Sequence, residues 1–439
     1  MSDFQESALA LAARQQSPAW LTSLRQSGAA AWQAASWPTR KTEHWKYTPL
    51  APLQKKRFEL VPSAASSAVF DDWIPLEATR LVFVNGCLDV AASSVLPPEV
   101  QLFSQASDQA RTLIQTHLGK VVEGERHIFA HLSNALVNEG VLLHVPRNAR
   151  PQQPLYLVHL STPTASPALA QTRLLVVLEE GASAQVIEHY VSDQQEQNGW
   201  VNNLSELVLG DNSDLHHYRL HLEEEHLLHI GGVHARLARN ARLRAFTLAQ
   251  GSQLKRLDYQ INHRGPGADL NLQGIYLPRN QQLVDYHTDV QHLVPHCTTQ
   301  EIFRGIIADE AQAIFNGRIH IHPDAQKTLA ELSNKNLLTS PKAEVNTKPE
   351  LEIYADDVKC AHGATVSQLN ATALYYLQSR GLSRREAEVM MSFGFINELL
   401  QDIASPEVRD YLTPRIAQLF GRDTRLLKGA QDQQVNADE

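Results

Sequence analysis

From about residue 155 to residue 366 the chain alternates apolar and polar positions in short runs: VLEEGASAQV, VLGDNSDLHH, ARLARNARLRA, YLPRNQQLVD, IIADEAQAIF, IHIHPDAQKTL and IYADDVKCAH. Period-two alternation marks β-strands, whose successive side chains leave opposite faces. The breaks carry Gly, Asn and Asp, which tolerate the left-handed backbone that tight turns need. Setting Gly181, Asn212, Asn240, Asn280, Glu310, Asp324 and Asp357 in register gives intervals of about 28 to 40 residues, with one near 14. Such an irregular repeat is too loose for a propeller and predicts a solenoid of stacked β-rungs, in which each rung buries its inward side chains only when neighbours cover it. An antiparallel sandwich is the competing architecture.

The flanks change period. Residues 2 to about 35 place Leu9, Leu11, Ala12, Trp20, Leu21 and Leu24 at helical intervals, broken by Pro18. PTRKTEHWKYTPL, Pro38 to Leu50, suits neither helix nor strand; it predicts an ordered docking loop with Trp45 and Tyr47 as anchors, or a binding site formed by Arg40, Lys41 and His44. RLVFVNGCLDV predicts a hairpin about Asn85-Gly86, and ERHIFAHLSNALVNEG a helix ended by Gly140. After Val366 three helices follow: ATALYYLQSRG closed by Gly381, SRREAEVMMSFGFINELLQDI opened by Ser383 and Glu386 in capping-box spacing, and SPEVRDYLTPRIAQLF opened by Ser405 and Pro406. Their apolar face, including Met390, Phe393, Ile396 and Leu400, predicts a small bundle capping the open end of the stack, with a partner-binding face as the sharper alternative. The expected organisation is a helical region with its docking loop over 1–75, an α+β lead-in over 76–150, the β core over 151–366, a helical domain over 367–420 and a disordered tail over 421–439.

Composition narrows the function. The 439 residues, 43% hydrophobic, can build a large core, and a formal net charge of −9 offers no basic footprint for nucleic acid or an anionic membrane. No long apolar run and no leader-like succession occurs, so a cytoplasmic protein is expected. Three cysteines, Cys87, Cys297 and Cys360, lie far apart and outside any CxxC pattern. Iron–sulfur clusters are commonly held by four thiolates, so any cluster handled here needs histidine, a second chain, or both. Neither GxxxxGK[ST] nor a strand-linked GxGxxG is present, nor a GxSxG elbow, so energy from ATP would come from another subunit.

Several donor sets were weighed as sites. His127 and His131 are i, i+4 on a predicted helix, but the HExxH glutamate is missing and they are read as structural. His320 with His322, His216 with His217, and His292, His296 and Cys297 in HLVPHC each lack a recognisable further ligand. Cys360 and His362 in KCAHGAT, i and i+2 on an extended chain, leave the backbone on one face, a thiol beside an imidazole.

TKPELEIYADDVKCAHGATV, together with FNGRI at Phe315 to Ile319, NLLTS at Asn336 to Ser340 and YYLQSRGL at Tyr375 to Leu382, resembles the SufB/SufD family of iron–sulfur cluster assembly proteins. The amino-terminal PTRKTEHWKYTPL is similar to the SufD branch of that family, and the resemblance runs from about Pro38 to about residue 400. It implies a right-handed parallel β-helix between helical amino- and carboxy-terminal parts. It further implies a non-catalytic scaffold that pairs with SufB, binds the ATPase SufC through its carboxy-terminal helices, and holds a transient cluster at the SufB interface. By motif position Cys360 and His362 are this chain's candidate ligands there. No permanently bound cofactor is implied; reduced flavin serves some family complexes, and no flavin motif is present here. The family's KCSHGAT reads KCAHGAT, with Ala361, and its YLRSRG reads YLQSRG, with Gln378. Exposed β-helix edges allow a homodimer of the isolated chain. The rival readings are a β-helix carbohydrate-active enzyme using Asp356 and Asp357, and a structural partner of SufB without ligands.

Overall fold

The computed structural model describes residues 2–61, 72–122, 127–193 and 197–420. Strands that follow one another in the chain go alternately to two sheets, one of ten strands and one of eleven, so most neighbours within a sheet are two strands apart in sequence and parallel. This is the expected parallel β-solenoid. Its register is unbroken over many rungs: Leu215, Leu243, Leu270, Thr299, Ala330 and Cys360 stand directly above one another. The next inward column runs His217, Ala245, Leu272, Glu301, Leu332 and His362. Between the sheets, Leu243, Leu270, Leu272 and Phe303 meet Val233, Ile261, Val290 and Ile319 in one buried cluster. A period of two puts these residues in the lumen, and a one-residue slip would turn the whole set outward.

The turns explain why the sequence repeat looks irregular. Along one end of the rungs Asn148, Gly181, Asn212, Asn240, Gly267, His296 and Lys327 all have positive φ, spaced 27 to 33 residues apart. The N–H of every one of these residues but Gly267 reaches the next turn's carbonyl, as from Gly181 to Asp211 at 2.8 Å, Asn212 to Arg239 at 2.8 Å and Asn240 to Pro266 at 3.0 Å. Asn240 also donates its side-chain amide to Asn212 at 3.0 Å, and a Cβ on Gly267 would stand 2.3 Å from Asn240 Oδ1, so a side chain there would collide with the ladder. Asn280 and Asp309, with φ of 57° and 53°, belong to turns at the opposite end. The expected register therefore mixed two turn files, and it placed Glu310 and Asp324 where Asp309 and Lys327 carry the left-handed backbone.

Helices cover both outer faces. Asp3–Arg14, Thr22–Ala34 and Ile128–Leu136 lay Phe4, Trp32, Phe129 and Leu132 on Leu228, Ile230 and Leu254 of the eleven-stranded sheet. The loop after them is anchored by Trp45, whose ring lies 3.8 Å from the Arg256 guanidinium, while Arg256 donates to the His44 carbonyl at 2.6 Å. Tyr47, expected as a second anchor, is instead exposed. The hairpin forms as expected, with Asn85 at φ 47° and Gly86 at φ 85° between Thr79–Val84 and Cys87–Asp89. Gly140 opens a strand instead of ending the preceding helix, which stops at Leu136.

The carboxy-terminal helices Ala371–Ser379, Arg384–Gln401 and Pro406–Phe420 do not cap the open end. Ile396, Leu399, Leu400 and Leu412 pack on Phe246, Leu248, Ile275 and Ile306, the outer face of the ten-stranded sheet. That face offers a continuous apolar surface, and covering it removes more apolar area from water than the narrow rim could. Of the four residues read as a partner-binding face, Ile396 and Leu400 are fully buried on the sheet, Phe393 is half-buried and Met390 is 57% exposed. The tail over 421–439 lies outside the described residues.

Polar side chains also enter the lumen. Glu188 accepts from Ser205 at 2.7 Å, Tyr190 at 2.7 Å and His217 at 2.8 Å, and although burial pushes its carboxyl up, Arg219 and His217 outweigh burial and hold it well below the usual range. Glu301 has only the Thr288 hydroxyl, at 3.1 Å, and burial pushes its pKa up to about 8. A glutamate whose folded pKa stands above its unfolded value stabilises fully below the unfolded pKa and loses that contribution as pH rises through about 8. Urea unfolding should therefore show the wild type losing about 2 kcal/mol more than Glu301→Gln between about pH 6.5 and pH 8.5. Equal losses would exclude a neutral Glu301.

Candidate functional site

The last two strands, Glu344–Ile353 and Lys359–Gln368, are the outermost members of their sheets, each with one strand partner among the described residues. The opposite edge of each is free, and Pro349, which brings no N–H, is tolerated in such an edge strand. The inward columns carry Cys360 over Ala330 and His362 over Leu332, so both donors stand on the luminal side of the open rim. Cys360 is half-buried against the luminal cluster, as are Leu351 and Val358, whereas His362 is exposed. On the opposite face of the same strand, a Cβ at Gly363 would meet nothing within 4 Å. Burial pushes the Cys360 thiol up, against the opposing effect of a hydrogen bond with the Ala330 backbone, so the thiol keeps its proton at neutral pH until a cation draws it off.

A polar floor holds this rim. Asn334 accepts from Thr347 Oγ1 at 2.8 Å and from Asn336 Nδ2 at 2.6 Å, and donates to Tyr276 at 2.8 Å. Asn336 Nδ2 also reaches the Thr365 carbonyl at 3.3 Å, and Ser367 Oγ donates to the Asn336 carbonyl at 3.1 Å. Both asparagines are fully buried. They tie the Cys360 strand to the rung below and to the strand across the lumen, so an edge strand with one free side keeps its register. Sequence reading missed this role; the signal was a pair of asparagines at i, i+2 in SNKNLL, inside an otherwise apolar inward file.

Chemically, one thiol and one imidazole on the same face are two of the three or four ligands that an iron centre takes, and both are accepted iron ligands. Both are presented together on an edge with no strand partner among the described residues.

The other predicted residues are not brought to the rim. Arg40 and Lys41 are exposed, and His44 is held by its carbonyl bond to Arg256. His127 is half-buried, with its ring 4.7 Å from that of His234. His217 points inward to Glu188 while His216 faces out, 3.8 Å from Asp214, as adjacent strand residues must. His320 and His322 stack at 4.1 Å on the outer face of their sheet. Asp357 pairs with Lys327, and its N–H donates to Gln326 Oε1 at 2.9 Å, the behaviour of a turn aspartate. His296 is exposed, whereas His292 and Cys297 are buried beside His263 from the preceding rung.

No helix among the described residues is long and apolar enough to cross a membrane. Residues 3–157 match the sequence profile of the SufBD protein N-terminal region, and residues 160–395 match that of the SUF system FeS cluster assembly, SufBD core domain. The chain is 31% identical over 384 residues to the iron-sulfur cluster assembly protein SufD of Escherichia coli, covering 87% of this chain and 89% of that one. It is 30% identical over 382 residues to an iron-sulfur cluster assembly SufBD family protein of Synechocystis, covering 83% and 84%. With the chloroplastic protein ABCI7 of Arabidopsis thaliana it shares 26% identity over 401 residues, covering 89% and 84%. A free β-edge carrying a thiol and an imidazole, on a chain that both profiles match nearly end to end, has one consistent reading: this protein belongs to the SufBD family of iron–sulfur cluster assembly proteins.

Proposed function

We propose that the chain is a non-catalytic scaffold subunit of a SUF assembly complex. It pairs with SufB through the free edges of Glu344–Ile353 and Lys359–Gln368, and Cys360 and His362 supply part of the ligand set of a cluster built across that interface. The cluster is cargo, made there and passed on. The observation that carries the reading is the half-complete donor pair on an unpaired rim: parallel strand edges recruit a matching edge, and a second chain docked there brings the missing ligands. ATP hydrolysis belongs to SufC, docked on the carboxy-terminal helices. With Ile396 and Leu400 committed to the sheet, the apolar surface left for SufC is Tyr375, Tyr376 and Met390, which are 74%, 56% and 57% exposed. Without SufB the same edges can pair with a second copy of this chain, and a cytoplasmic setting suits a reduced thiol. Reduced flavin, if used, binds elsewhere in the complex. Against the carbohydrate-enzyme reading with Asp356 and Asp357, Asp357 is engaged with Lys327.

Two outcomes test this. In co-expressed complex, His362→Ala leaves SufB and SufC bound while the iron–sulfur absorbance on reconstitution falls at least about tenfold, and Cys360→Ala lowers it less; unchanged absorbance in the double variant would remove the ligand role. Tyr376→Glu with Met390→Glu should strip SufC from a pull-down and spare SufB, whereas retention of SufC would place its site elsewhere.

A further inference from the structure

A second set of donors lies inside the coil, away from the rim. His263 ends the strand Leu254–His263 and His292 ends its parallel neighbour Leu283–His292; they are register partners, so their rings stack with centroids 4.4 Å apart and planes 15° apart. Cys297 lies in the turn just before the strand Thr298–Ile307 of the opposite sheet. All three side chains belong to residues with 0% exposure, and one donor atom from each lies within 4.8 Å of the other two. The Cys297 thiol lies 3.5 Å from the carbonyls of Gly265 and Pro295 and also meets the backbone of Gly267 and Ala268.

Thr299 decides what the rings can do. Its hydroxyl stands 3.0 Å from Nε2 of His263 and 2.9 Å from Nε2 of His292; the His263 ring also meets the Ala268 backbone, while Nδ1 of His292 is buried with no hydrogen-bond partner. A hydroxyl has one proton and two lone pairs. Donating to one ring and accepting from the other, it leaves one Nδ1 protonated and the other with a free lone pair; accepting from both, it leaves both Nδ1 lone pairs free and its own proton to be placed elsewhere. Either arrangement leaves a ring nitrogen able to take a cation, and an outer oxygen that fixes a ring's N–H is a common companion of metal-ligating histidine. The other buried histidine group, His221, Glu223 and His229, differs because it already holds a cation: Lys255 donates to Glu223 at 2.6 Å.

We propose that His263, His292 and Cys297 form a buried site for a single divalent transition-metal cation of borderline softness, of the Zn²⁺ or Fe²⁺ class. Two imidazole nitrogens and a thiolate suit such an ion and not Mg²⁺ or Ca²⁺, which take oxygen ligands. Bonds of about 2.0 to 2.3 Å in a tetrahedral site put donors about 3.3 to 3.8 Å apart, so closure needs side-chain shifts of about 1 Å. Binding releases the thiol proton to solvent and forms one metal–sulfur and two metal–nitrogen bonds. The ion would pin the ends of two neighbouring strands to the turn that starts the facing sheet. This site is separate from Cys360 and His362, and it stands or falls independently of the proposed scaffold role.

The full-length chain, unfolded and refolded with Co²⁺ as probe because the site is closed to solvent, should take up one equivalent and show the near-ultraviolet thiolate-to-cobalt band. Cys297→Ser should abolish that band, His292→Gln should weaken uptake at least about tenfold, and Thr299→Val, which keeps the shape and removes the hydroxyl, should weaken it about tenfold or more. The Cys360→Ser, His362→Ala double variant should keep both the band and the stoichiometry. Refolded wild type that binds neither Co²⁺ nor Zn²⁺, or a band that survives Cys297→Ser, would overturn the proposal.

Discussion

Everything in this protein depends on the backbone ladder that runs along the coil axis. In a parallel solenoid each rung satisfies the N–H and C=O groups of the rung below and offers its own to the rung above. The stack is therefore self-consistent everywhere except at its ends. At the far end Cys87–Asp89 closes the ten-stranded sheet by folding back antiparallel on Thr79–Val84. At the near end nothing in the described chain covers Lys359–Gln368, because the carboxy-terminal helices have turned away to cover the side of the sheet. The unfinished ladder and the adjacent thiol and imidazole of Cys360 and His362 occur on the same strand.

The same ladder brings distant residues together. Cys360 stands above Ala330 and Thr299, and His362 above Leu332 and Glu301, because a parallel register repeats one inward column at every rung. Polar groups in such columns find partners only in the neighbouring rungs or the facing sheet. Where they do, as with Glu188, His217 and Arg219, or Asn334 with Thr347 and Tyr276, they tie rungs and sheets together. Where they find few, as with Glu301, the group stays neutral. In the group of His263, His292 and Cys297, the Thr299 hydroxyl, two residues beyond Cys297, lies 3.0 and 2.9 Å from the two rings and joins them.

Local chemistry made much of this legible. The alternation in 155–366 identified strands, the Asn and Gly breaks identified left-handed turns, Asn85-Gly86 identified a hairpin, and Ser383 with Glu386 a helix start, because each depends on residues within a few positions of one another. The i, i+2 spacing put Cys360 and His362 on one face for the same reason. Errors arose where distance along the chain stops being informative. Asn280 and Glu310 fall in one file with Asn240 because a turn looks the same at either end of a rung. Ile396 and Leu400 were offered to a partner because an apolar stripe on a helix does not say which apolar surface covers it.

By itself, then, the sequence determined the elements, their turn chemistry, the solenoid class and the pairing of a thiol with an imidazole on one strand. Only the tertiary structure decided that this strand is the uncovered last rung, that Asn334 and Asn336 hold it, and that His263 joins His292 and Cys297 while His296 does not. The physical reason is that these facts follow from parallel register between segments some thirty residues apart and from competition among apolar faces for the same surfaces, and neither is written in any local pattern of residues.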